Sequence, residues 1–361
     1  MVQNLASQET GRWGGQLRAQ AHGLTGLGDT TYVSFYSTTD FKEQQILQAG
    51  HSFRPGSEGL SINAQVTHAW TKPSILLDAD DPELKSKTLF ATLGLAYPLV
   101  RTQSKNLSVG AGFDLVNQKT DFFGPLNRDR LRVIWARADF DAIDLRSRRP
   151  KWRVSGTVEA RQGLDIFDAS ETCPQIGCPG GDTPQSRIDA DPTSTLVRFN
   201  GTAEFGLGDS LAVAISPRAQ YAFDRLLPFE QFTAGNYTVG RGYDPSTLTG
   251  DSGVGVAFEL RGPRLTPFRR AADLQIQPYV FGDAAWTWTR SDPLEDIPGA
   301  HFHDPRHLKS VGGGVRGVLG NRAALDVAVA VPIKEVGLFD DRRRPDPRVL
   351  LTLTTRLLPW S

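Results

Sequence analysis

No stretch of the 361 residues holds the roughly eighteen consecutive apolar side chains that a membrane-spanning helix needs, so a transmembrane helix is excluded. Apolar residues spaced i, i+3, i+4, i+7 are also scarce, while glycine (36) and proline (23) are plentiful, which argues against helices in general. Net charge is absent, with 40 basic side chains against 40 acidic ones. No basic stripe interleaved with aromatics runs along the chain, so nothing marks a nucleic-acid partner. Near Met1 there is no basic start followed by an apolar core, so either an export signal lies upstream of this sequence or the protein is not exported; the strand pattern favours the first. Walker, Rossmann and Gly-x-Ser-x-Gly patterns are missing, so neither a cofactor nor an enzymatic activity is expected. Cysteine is reduced to Cys173 and Cys178. Their spacing suits a small loop-stapling disulfide in oxidising surroundings, and no further ligands for a metal stand nearby.

What the chain has in abundance is alternation. Leu60, Ile62, Ala64 and Val66 alternate with Ser61, Asn63, Gln65 and Thr67; Leu107, Val109, Ala111, Phe113 and Leu115 alternate with Ser108, Gly110, Gly112 and Asp114. The same pattern returns at 211–224, 253–261 and 324–331. Period two means strands with one apolar and one small or polar face. The runs reach about ten residues or more, the length that crosses a bilayer at a tilt and longer than an ordinary sandwich strand. Mean hydropathy of −0.31 is no objection, because a barrel strand turns only every second side chain to lipid. Between Gly253 and Arg261 the wet face carries Glu259 and Arg261, which fits a water-filled interior better than a packed core.

The connectors point the same way. Tight links near 23–28, 55–58, 101–105, 146–150, 206–209 and 320–321 are interleaved with longer polar ones at 71–84, 119–128, 166–192, 226–252, 290–308 and 334–345. Short periplasmic turns and long extracellular loops alternate like this in outer-membrane barrels. Two links depart from the pattern: 262–272 is long for a turn and 38–40 is short for a loop. Trp70, Trp286 and Trp288 at strand ends fit an interfacial girdle. Counting back from the last strand, Arg348–Leu358, gives about fifteen full strands. Since bacterial barrels use even numbers, sixteen are expected, the first ending near Asn4–Ser7 and beginning before Met1. One transmembrane antiparallel all-β barrel domain is thus expected over residues 1–361, with a long inserted loop at about 226–252.

Particular motifs carry a resemblance. Arg241-Gly242-Tyr243 in the long loop resembles the arginine-glycine-aromatic tip found in the outer-membrane assembly and two-partner-secretion superfamily. Phe281-Gly282-Asp283-Ala284-Ala285 on the next strand looks like its aromatic-x-Asp-x-Gly motif, with Ala285 where glycine is usual. The opening, Glu9 to Trp13 and Leu24 to Asp29, and the segment Phe258-Glu259-Leu260-Arg261-Gly262-Pro263 are similar to haemolysin and haemagglutinin secretion transporters. The resemblance covers nearly the whole chain. It implies a sixteen-stranded pore in the bacterial outer membrane that exports one large haemolysin- or haemagglutinin-like partner, without nucleotide. Upstream POTRA modules that recognise the partner in such transporters are not in this sequence. Outer-membrane lipid and the barrel-assembly machinery are the other partners expected.

The chemistry of the residues is compatible with that resemblance. Asp283 shares a face with Gln275, Gln277, Tyr279 and Phe281, opposite Leu274, Ile276 and Val280, and should point inward. A guanidinium descending from the loop at Arg241 can meet it through two parallel bonds, fixing orientation as well as charge. Glu259, Arg261, Arg218, Arg198 and Arg316 also fall on inward faces and either extend this network or simply line a hydrated pore. His301, His303, Asp304 and His307 read as a polar loop, as does Arg342-Arg343-Arg344, and Trp360 stands in for the usual terminal aromatic of a barrel. Rival readings are an assembly factor of the same superfamily, a passive porin, whose constriction loop would come earlier in the chain, and a barrel enzyme, for which no catalytic group can be assembled.

Overall fold

The computed structural model describes residues 1–74, 83–147, 150–172, 183–187, 189–267, 273–290, 306–335 and 344–357. Cys173, Cys178, His301, His303, Asp304, Arg342, Arg343 and Trp360 lie outside them. In chain order the strands begin with β1 (Val2–Gln3), β2 (Gly14–His22), β3 (Thr30–Thr38), β4 (Gln44–Phe53), β5 (Ser61–Thr71) and β6 (Lys85–Arg101). They continue with β7 (Lys105–Asp121), β8 (Pro125–Ile143), β9 (Trp152–Gly163), β10 (Thr195–Leu207), β11 (Leu211–Ala222) and two short strands, β12 (Phe232–Ala234) and β13 (Leu248–Gly250). The last five are β14 (Ser252–Arg261), β15 (Leu274–Trp288), β16 (Arg306–Leu319), β17 (Ala323–Pro332) and β18 (Arg348–Thr355).

Sixteen of these close into one antiparallel barrel, each strand bonded to its chain neighbour, with β11 paired to β14 and β1 closing the ring between β18 and β2. β12 and β13 form a separate hairpin inside the long loop between β11 and β14. Strand pairing satisfies backbone amides that a hydrocarbon surround would not tolerate unpaired; at the seam the short β1 pairs only Gly14 and Gly15 of β2 and Thr352 and Leu353 of β18. The alternation sorts side chains as the pattern requires. Leu93 and Val280, both 56% exposed, stand on the outer face in an apolar belt, while Asp114, Glu259 and Asp283 on the opposite face are buried inside.

The first strand is the two-residue pair Val2–Gln3, continued by Asn4, whose amide reaches Leu351 and whose side chain bonds the backbone of Val349 and Leu351. One link differs from the expected loop pattern. Residues 119–128 are polar, yet β7 and β8 run through them to a turn at 122–124. β6, β7 and β8 reach 17, 17 and 19 residues, so this wall rises past the hydrocarbon, where outward side chains no longer need to be apolar. The long turn at 262–273 also keeps some order, since Leu265 and Ile276 exchange both backbone bonds at 2.8 Å.

Candidate functional site: the lumen loop and its two anchors

The loop between β11 and β14 turns back into the barrel instead of standing away from it. Its stem is the β12–β13 hairpin, and its tip, residues 235–247, is shaped by two glycines at positive φ, Gly235 (142°) and Gly240 (114°). A side chain at Gly240 would strike Leu308, and one at Gly242 would meet the Pro332 nitrogen at 2.8 Å and Ser310 Cβ at 2.9 Å. Glycine is needed there because the backbone lies directly on the wall. Phe232, Ala234, Val239, Tyr243 and Leu248 of the loop pack with Ala285 and Leu308 of the barrel into a small dry core. Small wall residues make room for it: Gly253 lies under Phe232 and Gly255 under Val239.

Beside that core Arg241 enters a charged pocket. Its Nε donates to Asp283 Oδ2 at 3.0 Å and its Nη2 to Oδ1 at 2.7 Å, a paired geometry that fixes the plane of the guanidinium. The Arg241 amide adds a bond to Oδ2 at 2.9 Å, and the Ser310 hydroxyl donates to the same oxygen at 3.3 Å. The third face of the guanidinium reaches Glu259 through Nη1 at 2.7 Å. Its carbon lies 3.6 Å above the ring of Phe281, so cation and aromatic face are stacked. The ring in turn rests on Gly312, where any Cβ would come within 2.4 Å of it.

Glu259 ties this contact into a wider chain of alternating charge. It accepts from both Nη atoms of Arg316 at 2.9 Å and from Arg261 Nε at 3.0 Å. Arg316 continues to Asp326 at 2.8 Å while stacking 4.1 Å over Tyr279, whose hydroxyl donates to the same Asp326 at 2.6 Å. Arg261 reaches Glu204 at 2.7 Å. Arg241, Gly242, Tyr243, Asp283, Phe281, Glu259, Arg261 and Arg316 are thus brought together in one region of the lumen. Tyr243 is fully buried. Its hydroxyl accepts the Lys334 amide at 2.9 Å and faces the carbonyls of Lys309 (2.8 Å) and Lys334 (2.9 Å), tying the loop to the ends of β16 and β17. Arg348 of β18 holds the Tyr243 carbonyl at 2.7 Å and Asp244 at 2.7 Å.

A second anchor was not foreseen from the sequence. The descending limb makes a single 3-10 turn at Pro228–Glu230, and the buried Glu230 meets Arg161 of β9 through two bonds of 2.9 Å. Arg161 also holds Asp114 of β7 at 2.8 Å and Glu159 at 3.1 Å, and Asp114 accepts from the Trp135 indole at 2.9 Å. Arg198 of β10 adds bonds to the Glu230 carboxylate at 3.0 Å and its carbonyl at 2.8 Å. Leu227 packs with Val116, Leu131 and Val133 beside it, and Phe229 stacks on Phe90. Arg218 makes no contact with the Arg241 cluster; it bonds Asn200 at 3.0 Å and stacks 5.3 Å from Phe232. Where the loop rejoins the wall, the buried Asp251 accepts from the Leu226 amide at 3.0 Å, the Arg290 amide at 2.9 Å and the Arg187 guanidinium. The loop therefore spans the lumen, gripped by β7–β10 at its base and by β14–β18 at its tip.

This architecture matches known proteins. The profile of the family described as haemolysin secretion/activation protein ShlB/FhaC/HecB covers residues 1–302. No curated protein sequence matches the chain. Among solved structures, CdiB from Escherichia coli superposes with a TM-score of 0.77 at 16% identity, over 98% of this chain and 62% of that one. CdiB from Acinetobacter baumannii gives 0.70 at 17%, over 98% and 58%. BamA from Haemophilus ducreyi lacking POTRA domains 1-3 gives 0.63 at 13%, over 98% and 69%. The chain spans less than two thirds of either CdiB, and at these identities the likeness is one of fold. With the profile matching well over half of its length, the chain belongs to the haemolysin secretion/activation family of bacterial outer-membrane β-barrels.

Proposed function

We propose that this barrel is the pore of a two-partner-secretion transporter, passing one large haemolysin- or haemagglutinin-like protein through its lumen without covalent chemistry or nucleotide. The observation that carries this reading is the lumen loop itself, held by ion pairs rather than by a covalent staple. Each charged hydrogen bond of this kind contributes about 1.5–3 kcal/mol, less where water screens it. Such a loop is held firmly at rest and can still be displaced by an entering polypeptide. The family membership supports an exported partner, and lipid and the barrel-assembly machinery are the partners of membrane insertion.

The fold shared with BamA supports a second reading, an assembly factor that inserts other barrels. Secretion is favoured by the Phe258-Glu259-Leu260-Arg261 segment, whose Glu259 and Arg261 belong to the charge chain around the loop tip.

The test is made in the transporter co-expressed with a large haemagglutinin-like exoprotein as candidate partner. Arg241→Ala and Asp283→Ala should each sharply lower the exoprotein in the medium while the barrel stays folded and inserted at normal levels. The double variant should be little worse than either, since both remove one contact. Normal export by both single variants would refute the role of the loop. Loss of other outer-membrane barrels, with export intact, would favour the assembly reading.

A further inference from the structure

The outer face of the tall β6–β8 wall carries a row of charge that transport through the lumen leaves unused. Strand parity puts Lys87, Lys119 and Arg128 on the same side as Leu93, Val109 and Ile134, the exposed apolar side chains of the lipid belt. The opposite face of these strands turns Asp114 and Trp135 into the lumen. Lys87 stands directly opposite Lys119, and Lys119 directly opposite Arg128. Three cations are therefore lined up across three adjacent strands, an arrangement sheets avoid because like charges in opposed positions repel. Only Lys119 finds a carboxylate, Asp121 at 2.8 Å; among the described residues neither Lys87 nor Arg128 makes an ion pair, and all three side chains are exposed.

The level of this row is set by its neighbours. Trp70 lies in register with Lys87 and stacks on His68 at 4.1 Å, an aromatic pair of the kind that settles at a membrane surface. Lys119 stands four residues beyond Leu115, roughly 13 Å along the strand and about 9 Å along the membrane normal at a tilt near 45°. Beyond the last outward apolar residue of β7 and level with Trp70, the row stands where lipid headgroups and their phosphates lie. A second feature points outward at the same place. Residues 164–170 fold over the outside of β8, where the Phe167 carbonyl accepts from Arg132 at 3.1 Å and Asp168 pairs with Arg130. This leaves the Phe167 ring 73% exposed, edge-on to the lipid-facing Phe113 at 6.3 Å. Cations above and a bare aromatic below make an amphipathic surface continuous with the lipid belt.

We propose that the Lys87–Lys119–Arg128 row binds a phosphorylated glycolipid of the outer leaflet, its phosphates on the cations and its acyl chains along Leu93, Phe113 and Phe167. A polyanion here removes the repulsion that the row carries alone. Because the row is continuous with the lipid belt, its occupant is a lipid already anchored beside it.

The experiment uses the purified full-length protein folded in non-ionic detergent and offered bis-phosphorylated lipid A or the same lipid without phosphates, with bound lipid read by native mass spectrometry. The parent should retain the phosphorylated form, and Lys87→Gln/Lys119→Gln/Arg128→Gln should lose at least ten-fold in retention. The charge-keeping Lys87→Arg/Lys119→Arg/Arg128→Lys should retain it. Melting supplies a readout of opposite sign: without lipid the glutamine variant should melt no lower than the parent, whereas added lipid A should raise only the parent. Should the triple glutamine variant not fold, Lys87→Gln alone carries the same comparison. Equal retention by the glutamine variant, or equal binding of the dephosphorylated lipid, overturns the proposal. A photo-crosslinker at position 119 that captures exported protein in cells but no glycolipid overturns it as well.

Discussion

Replacing Arg241 with alanine should release the tip of the lumen loop while its base stays seated. Arg241 gives three side-chain bonds of 2.7–3.0 Å, two to Asp283 and one to Glu259. The Asp283 side chain is wholly buried, and Arg241's own side chain is only 16% exposed. Removing one partner from a buried ion pair costs about 3–5 kcal/mol, because the other charge is left without compensation. Water in the lumen and the surviving Ser310 bond to Asp283 favour the lower end. About 3 kcal/mol corresponds to a roughly 150-fold rise in the opening equilibrium. Hydrogen exchange on the folded barrel in detergent reads this directly, since local opening sets the exchange rate of the amides it exposes. Peptides covering the tip, residues 235–247, should exchange on the order of 10²-fold faster. Peptides covering the base, residues 226–232, should change by less than about three-fold, because Glu230 keeps Arg161 and Arg198 and the Leu226 amide keeps Asp251. Glu230→Ala should give the converse pattern. Equal acceleration of tip and base in either variant would mean that the loop opens as one unit, and the two separate contact sets would not be separate anchors. No acceleration would mean that lumen water already screens the pair.

Other outcomes follow from the same geometry. Gly242→Ala should unseat the tip at a cost of about 1–3 kcal/mol, since the new methyl meets wall backbone, seen as the same tip-selective exchange. An epitope inserted after Phe123, 84% exposed at the crown of the β7–β8 hairpin, should be reachable on intact cells, and one at Asn321 in the β16–β17 turn should not; reversed labelling would invert the orientation. Asp29 accepts the Thr25 hydroxyl at 2.7 Å and the amides of Thr25 and Leu24 at 2.8 and 3.0 Å, and these bonds, the hydroxyl first, hold its pKa below the ordinary 3.8. Its contribution to the β2–β3 turn is therefore complete at neutral pH and lost only as pH falls through that depressed value. A carboxyl titration by NMR with a midpoint at or above 3.8 would refute this.

The barrel was legible because its cause is local. Every crossing strand must alternate, and the inward positions of Asp283 and Glu259 follow from counting by twos along β15 and β14. Arg241 could be matched to Asp283 only through a motif, since no periodicity links two residues 42 apart. The Glu230 anchor shows the limit. Arg161 lies on an alternating strand with Glu159, Thr157 and Ser155, so its inward direction could have been read from the same rule. Glu230, in contrast, sits in a loop without period, and its partners are 32 and 69 residues away on two different strands. The polar stretch 119–128 misled for a related reason. Outside the hydrocarbon a strand has no reason to keep an apolar face, so its continuation looks like a loop.

The glycine beneath Phe281 has a consequence for how the pore's bore is set. Arg241 lies on an aromatic ring, and the ring lies on a stretch of β16 where Gly312 offers no side chain, so three layers are stacked inward like tiles on the wall. Tyr279 repeats the motif beneath Arg316, with Gly314 close to its hydroxyl. The height at which each cation rides is thus fixed by what the strand behind it omits. A single methyl added at position 312, on a residue that never touches arginine, would tilt the ring, raise the guanidinium off its carboxylates and narrow the free passage beside the loop. The clearance of the channel is written in its missing side chains as much as in the charges that line it.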